Sequence, residues 1–179
     1  MPRELGESLE LRKGRHSVVY LTEKYAIKQF HERFRYNFLK EVKFLTLLQP
    51  FFFTPKLYFV DFANLRIVME RLRGRRFDEA FIRKAVERAL EACFIMDVMG
   101  VEKQEMNHPD KHIIVGDDVY LIDFERARFK DRPSNLTQFC MYLRRFGIEI
   151  EKTLLKDYKT SVNCENFSRI LHSVVEKLK

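Results

Sequence analysis

The chain has 179 residues, 46% of them hydrophobic and 33% charged, a balance that excludes a disordered chain and leaves ample length for one domain or two small lobes. Its formal net charge of +7 suits an anionic ligand, a nucleotide or an RNA, and suits a solvated basic surface equally well. No apolar run approaches the roughly 18 residues of a membrane span, and Cys93, Cys140 and Cys164, odd in number and without a CxxC pair, argue against a disulfide framework or a zinc site. Residues 1–6 carry no apolar signal region, so the expectation is a cytoplasmic protein with reduced thiols and no membrane partner.

Residues 11–21 lean towards strand around Val18-Val19-Tyr20, and Thr22-Glu-Lys24 turns into a second strand at 25–30. Over 33–48 the spacing becomes helical, with Phe34, Phe38, Val42, Leu45 and Leu48 on one face and Pro50 as a stop. Two strands follow at 56–61 and 66–70 around an Ala63-Asn64 turn, and the charged stretch at Gly74 reads as a linker. From an N-cap at Asp78 the pattern is helical to about Met99, with Gly100 as the stop. Residues 101–111 are polar and irregular, and 112–124 read as a hairpin turning at Gly116-Asp-Asp118. Helices are expected at 134–146, capped by Ser134, and at 149–158 and 164–178. The order describes an α+β chain: a small antiparallel, β-rich lobe with one helix over 1–72, then a reduced, mainly helical lobe over 73–179.

Two strands each hold one ionisable residue in an apolar run. Lys28, in Tyr25-Ala-Ile-Lys28, shares a strand face with Ala26 and Phe30. Asp123, in Leu121-Ile-Asp-Phe124, is flanked by apolar residues on both sides. An isolated charge taken out of water costs several kcal/mol unless it is paired, hydrogen-bonded or bound to metal. A buried cation early and a buried carboxylate late therefore suggest a site for phosphate and metal. Basic clusters at Arg71-Leu-Arg-Gly-Arg-Arg76 and Arg126-Ala-Arg-Phe-Lys-Asp-Arg132 flank these runs and tilt the charge towards a functional field.

The residues also carry a resemblance to the protein-kinase-like fold over about 10–127. Leu11-Arg-Lys-Gly-Arg-His-Ser-Val-Val19 resembles the glycine-rich loop G-x-G-x-x-G-x-V, with Gly14 as the surviving glycine and Arg12 and Ser17 at the other two positions. Tyr25-Ala-Ile-Lys28 is similar to V-A-I-K, in which the lysine reaches the α- and β-phosphates and pairs with a helix glutamate, and Glu41 fits that partner. Arg66-Ile-Val-Met-Glu-Arg-Leu72 resembles the strand into the kinase hinge, which implies an adenine slot formed by Met69, Glu70 and Leu72 with Val19 and Ala26. Leu121-Ile-Asp-Phe-Glu125 resembles the metal-binding D-F-G segment, with Glu125 in place of glycine and Asp123 as the magnesium ligand.

The loop corresponding to H-R-D-L-x-x-x-N departs from that pattern. Anchored on Gly100-Val101, the alignment puts Glu105 at the base position; anchored on His112-Ile-Ile-Val115, it puts Asn107 there. Asn107 cannot accept a proton, which leaves Glu105, favoured, and Asp110 as the candidate carboxylates. His112 stands where the second metal ligand would be, although neutral imidazole matches magnesium poorly. No A-P-E motif follows Ala127. In this the chain resembles atypical kinases of the RIO type, the kinase of the KEOPS complex, and small archaeal serine/threonine kinases with the pattern seen here as Lys111-His-Ile-Ile-Val115 and Ile122-Asp-Phe-Glu-Arg-Ala127. The resemblance implies a kinase that uses ATP and magnesium, with Lys28, Glu41, Glu105 and Asp123 as catalytic residues and an unidentified protein or small-molecule acceptor. Two other readings stand beside it: a nucleotide-binding pseudokinase, and an RNA-associated module using the basic surface.

Overall fold

The computed structural model describes residues 10–178, so the signal-region expectation at 1–6 lies outside the described residues. The fold is α+β. Its contacts divide the chain into two units, the first formed by the residues up to Arg73 with Tyr120–Arg126, the second by Gly74–Val119 and the chain from Ala127 onwards.

The first unit is an antiparallel five-stranded sheet in the order β1-β2-β3-β5-β4, comprising β1 (Glu10–Lys13), β2 (Ser17–Leu21), β3 (Tyr25–Phe30), β4 (Leu57–Asp61) and β5 (Arg66–Glu70). The run at 11–21 is broken into β1 and β2 by a turn in which the Gly14 N–H donates to the Ser17 carbonyl at 2.9 Å. At the β4–β5 turn both oxygens of Asp61 accept from Asn64, and Leu65 takes a left-handed φ of 52°. Helix α1 (Arg35–Leu48) follows a 3₁₀ turn at Glu32–Phe34. That turn winds more tightly than an α-helix and resets the phase of the stripe. Phe34, within that turn, is only half-buried, as is Val42 in the helix, and Glu41 and Phe44 join Phe38, Leu45 and Leu48 on the buried face.

The second unit is built on helices α2 (Arg83–Val98), α3 (Asn135–Leu143), α4 (Lys152–Thr160) and α5 (Cys164–Val175), with short strands β6 (Arg75–Arg76), β7 (Val101–Glu102), β8 (Ile113–Val115) and β10 (Arg128–Phe129). Strand β9 (Val119–Leu121) follows the Gly116 turn and carries the chain into the segment of the first unit. Antiparallel ladders join β6 to β8 and β7 to β10. Gly74 lies so close to the β8 backbone that a Cβ there would sit 2.3 Å from the Val115 carbonyl oxygen.

Several boundaries differ from the sequence expectation. Asp78 does not cap α2; it lies in a 3₁₀ turn, Phe77–Glu79, and the helix starts at Arg83. The cause is Phe77, fully buried with edge-on contacts to Phe81 and Phe139, which holds the turn apart from the helix. At the other end of α2, Gly100 stops the chain in a left-handed φ of 70°. The irregular stretch at 101–111 conceals strand β7, whose Glu102 is almost wholly buried and accepts from Arg128 and Lys130 near β10. The strand expected to reach Phe124 ends at Leu121. Among the described residues no helix is long and apolar enough to cross a membrane.

Ser134 does not cap α3 with its side chain. That task falls to Asp97 of α2, whose carboxylate accepts the backbone N–H groups of Asn135 and Leu136 at 2.9 and 3.1 Å. The same carboxylate accepts from the Asn135 amide and the Tyr158 hydroxyl at 2.8 and 2.9 Å, so one buried acid joins α2, α3 and α4. Burial raises the Asp97 carboxyl above its ordinary value, against the pull of these four donors. Asp97→Ala should destabilise the protein by roughly 3 kcal/mol in urea unfolding, the upper end for stranding buried donors; a loss near zero would mean that other groups satisfy them.

Candidate functional site

Strand β3 alternates as period two requires, with Ala26, Lys28 and Phe30 buried. Lys28 is inside because its charge is answered there. Its Nζ lies 3.3 Å from Glu41 Oε1 on α1 and 3.2 Å from Asp123 Oδ1, and 4.9 Å from the centre of the Phe30 ring. Burial alone pulls the ammonium down, but Glu41, Asp123 and Glu125 outweigh it and leave the lysine above its ordinary value. It is therefore charged throughout the physiological range.

Asp123 reaches this position because the strand stops. The Leu121 N–H donates to the Phe53 carbonyl at 2.7 Å, and two residues later Asp123 turns the chain with a φ of 67°. Aspartate tolerates that left-handed conformation better than most residues. Lys28 and Glu41 are closed off, at 9% and 2% side-chain exposure, whereas Asp123 is 37% exposed. One edge of the cluster is thus open, and that edge is a carboxylate.

A second pair adjoins the first. The His16 Nδ1, on the turn before β2, is hydrogen-bonded to the Glu125 carboxylate, and the His16 ring packs on Phe34 with centroids 4.4 Å apart. The sequence shows Glu125 only as the residue replacing a glycine and gives no reason to single out His16. The available signal was Glu125 itself, an acid directly after Phe124 that proves buried.

The other predicted residues of the first unit lie on the sheet. Ala26 and Met69 are paired neighbours on β3 and β5, both buried, and Val19 on β2 pairs with Lys28. The Glu70 N–H donates to the Lys56 carbonyl and the Arg71 N–H to the Lys24 carbonyl. The Leu72 N–H makes no hydrogen bond among the described residues, and Leu72 is half-buried. Gly14 presents no free N–H, since its own is closed on Ser17.

In the second unit the loop before β8 separates the two candidate carboxylates by environment. Asp110 accepts from the Tyr142 hydroxyl and pairs with Arg145 at 3.2 Å. Burial first, and Asp110 second, raise the Tyr142 phenol well above its ordinary value. Glu105 is 41% exposed and lies 3.3 Å from the His112 Nε2. Gln104 and Glu105 both hold a φ of 63°, a pair of left-handed non-glycine residues that costs on the order of 1 kcal/mol each or more. Asn107 is exposed. The basic clusters are largely engaged: Arg71 donates to the Thr22 carbonyl, Arg73 to that of Glu23, and Arg128 and Lys130 to Glu102. Cys93 and Cys140 are buried, and burial pushes the Cys140 thiol up to about 12.

No group of three or more His, Cys, Asp or Glu converges among the described residues as a cage for a metal. Magnesium takes one or two carboxylates and completes its shell with water and phosphate, so the half-exposed Asp123 could supply one ligand to it.

No protein-family model matches the chain. Over 120 residues it is 26% identical to the uncharacterized protein MJ1211 of Methanocaldococcus jannaschii, a match that covers 67% of this chain and 98% of that protein. The likeness spans nearly the whole archaeal protein and brings no activity with it.

The burial of Lys28 and Glu41 has a direct energetic consequence. Removing one partner of a buried pair leaves an uncompensated charge, so Lys28→Met should cost about 3–5 kcal/mol in urea unfolding. Glu41→Gln added to it should return part of that loss. Strict additivity of the two substitutions would show that the pair is not coupled.

Proposed function

We propose that the chain is a phosphotransferase of an atypical kinase-like class, using ATP and magnesium and passing a phosphoryl group to an alcohol on a protein or small molecule. One observation carries this reading: Lys28 and Asp123, 95 residues apart in sequence, meet in a charge cluster with Glu41, closed on the lysine side and open on the Asp123 side. In this reading Lys28 orients the phosphates, Glu41 holds Lys28 extended, and Asp123 is the magnesium ligand. Bound there, the metal would neutralise charge on the phosphoryl oxygens. Val19, Ala26 and Met69 line an adenine slot, and the Leu72 N–H donates to the base edge.

Glu105 is the carboxylate assigned to orient the acceptor hydroxyl and take its proton. Two features support the choice over Asp110: its backbone is held in a strained conformation, and Asp110 is occupied by Tyr142 and Arg145. His112, assigned from the sequence as a second metal ligand, acts here as the partner that orients Glu105. Catalysis in this class is mostly positioning and electrostatic stabilisation, which these groups can supply without the standard loop.

A nucleotide-binding module without transfer chemistry is the second reading. The turn at Gly14 favours it, because the N–H that would cradle phosphate is closed on Ser17. ATP turnover by the pure protein, absent in Asp123→Ala, separates a transferase from such a module.

Asp123→Asn keeps the shape and removes the charge, so magnesium should no longer strengthen ATP binding in a calorimetric titration. Equal enhancement in wild type and variant would remove Asp123 from the metal site. Glu105→Gln should slow transfer by roughly 10²- to 10⁴-fold with little change in nucleotide affinity. Asp110→Asn should leave turnover nearly intact and lower thermal stability instead; the opposite pattern would make Asp110 the base.

A further inference from the structure

We propose that His16 is itself a phosphoryl acceptor, its Nε2 taking the γ-phosphoryl group of the bound nucleoside triphosphate to form a phosphohistidine backed by Glu125. The inference rests on the phosphotransferase reading above and goes beyond it, since it names an acceptor inside the protein.

The arrangement of His16 is that of a prepared nucleophile. In the neutral imidazole, an Nδ1–H donated to the Glu125 carboxylate selects the tautomer whose lone pair is on Nε2. That Nε2 makes no hydrogen bond among the described residues, and the His16 side chain is 15% exposed. The ring has little freedom. Phe34 packs against it, the Gly14 N–H closes the turn on Ser17 at 2.9 Å, and the His31 N–H donates to the His16 carbonyl at 3.2 Å. Glu125 is 8% exposed, with His16 as its hydrogen-bond partner, and its charge also acts on Lys28. The imidazole therefore rests on a buried acid two residues from Asp123, whose charge reaches Lys28. A surface histidine with an incidental partner would lack that connection.

The step balances without a further reagent. The Nε2 lone pair forms a bond to the γ-phosphorus, the bond from that phosphorus to the β,γ-bridging oxygen breaks, and its electron pair leaves with the nucleoside diphosphate. No proton must be removed from the nucleophile. The positive charge that develops on the ring is answered by Glu125, the role a carboxylate behind an imidazole serves in other nucleophilic and acid–base dyads.

The test is incubation of the whole protein with γ-labelled ATP and magnesium, followed by intact-mass measurement and by acid and alkali treatment. Incorporation of one phosphoryl group, lost in acid and kept in alkali, is the expected result, because an N–P bond is acid-labile where a phosphoserine or phosphothreonine is not. His16→Gln can still donate to Glu125 and so preserve the turn; it should abolish the label while calorimetry shows ATP still bound. Glu125→Gln should label more slowly. The proposal is overturned by an acid-stable label, by a label that survives in His16→Gln, or by a wild type that binds and turns over ATP without labelling. A wild type that does not bind ATP overturns the phosphotransferase reading as well, and calorimetry on the same sample tells these failures apart.

Discussion

The first unit depends on one buried ammonium. Lys28 sits on the inner face of β3 among Ala26, Phe30 and α1, where a cation is tolerated only if anions come to it. Glu41 comes from α1 and Asp123 from a segment nearly a hundred residues further on, so a single charge ties helix, sheet and the 120–126 segment together. The phase of α1 follows from this requirement as much as from hydrophobicity, since the position that a purely apolar stripe would assign to Val42 is shared with Glu41.

The second unit uses buried carboxylates in the same manner, for architecture. Asp97 satisfies the first N–H groups of α3 and receives the Tyr158 hydroxyl of α4, and Glu102 gathers Arg128, Lys130 and Ser134. Glu102 holds its carboxyl below the ordinary range although burial opposes it, because three donors converge on it. Asp97 has four donors, but all are neutral where two of those on Glu102 are cations, and burial wins there. A buried acid alone is therefore no mark of an active site, and what distinguishes the Lys28 cluster is its exposed edge at Asp123.

Of the imidazole–carboxylate pairs, His16 with Glu125 and His112 with Glu105 occupy turns, whereas His172 with Glu176 is an exposed pair at the end of α5. Turns can hold strained backbone and half-buried polar groups that strands and helices cannot. Glu105 and Asp123 both have left-handed backbone, and each conformation aims a carboxylate that a regular strand would have directed elsewhere.

The sequence by itself determined the local patterns. Period-two alternation put Lys28 on the face of Ala26 and Phe30, helical spacing located α1 and the helices of the second unit, Gly100 marked the end of α2, and the isolated charges of Lys28 and Asp123 announced that partners must exist. These are short-range properties, legible because side-chain direction follows from backbone period. The tertiary structure alone decided the rest. Phe77 delayed the start of α2 by burying itself in a separate turn, Asp97 replaced Ser134 as the cap of α3, β7 found its partner β10 across an intervening stretch of chain, and His16 met Glu125 across 109 residues. Each depends on a contact between residues far apart in sequence, and no local periodicity or propensity encodes which distant group will answer a buried charge.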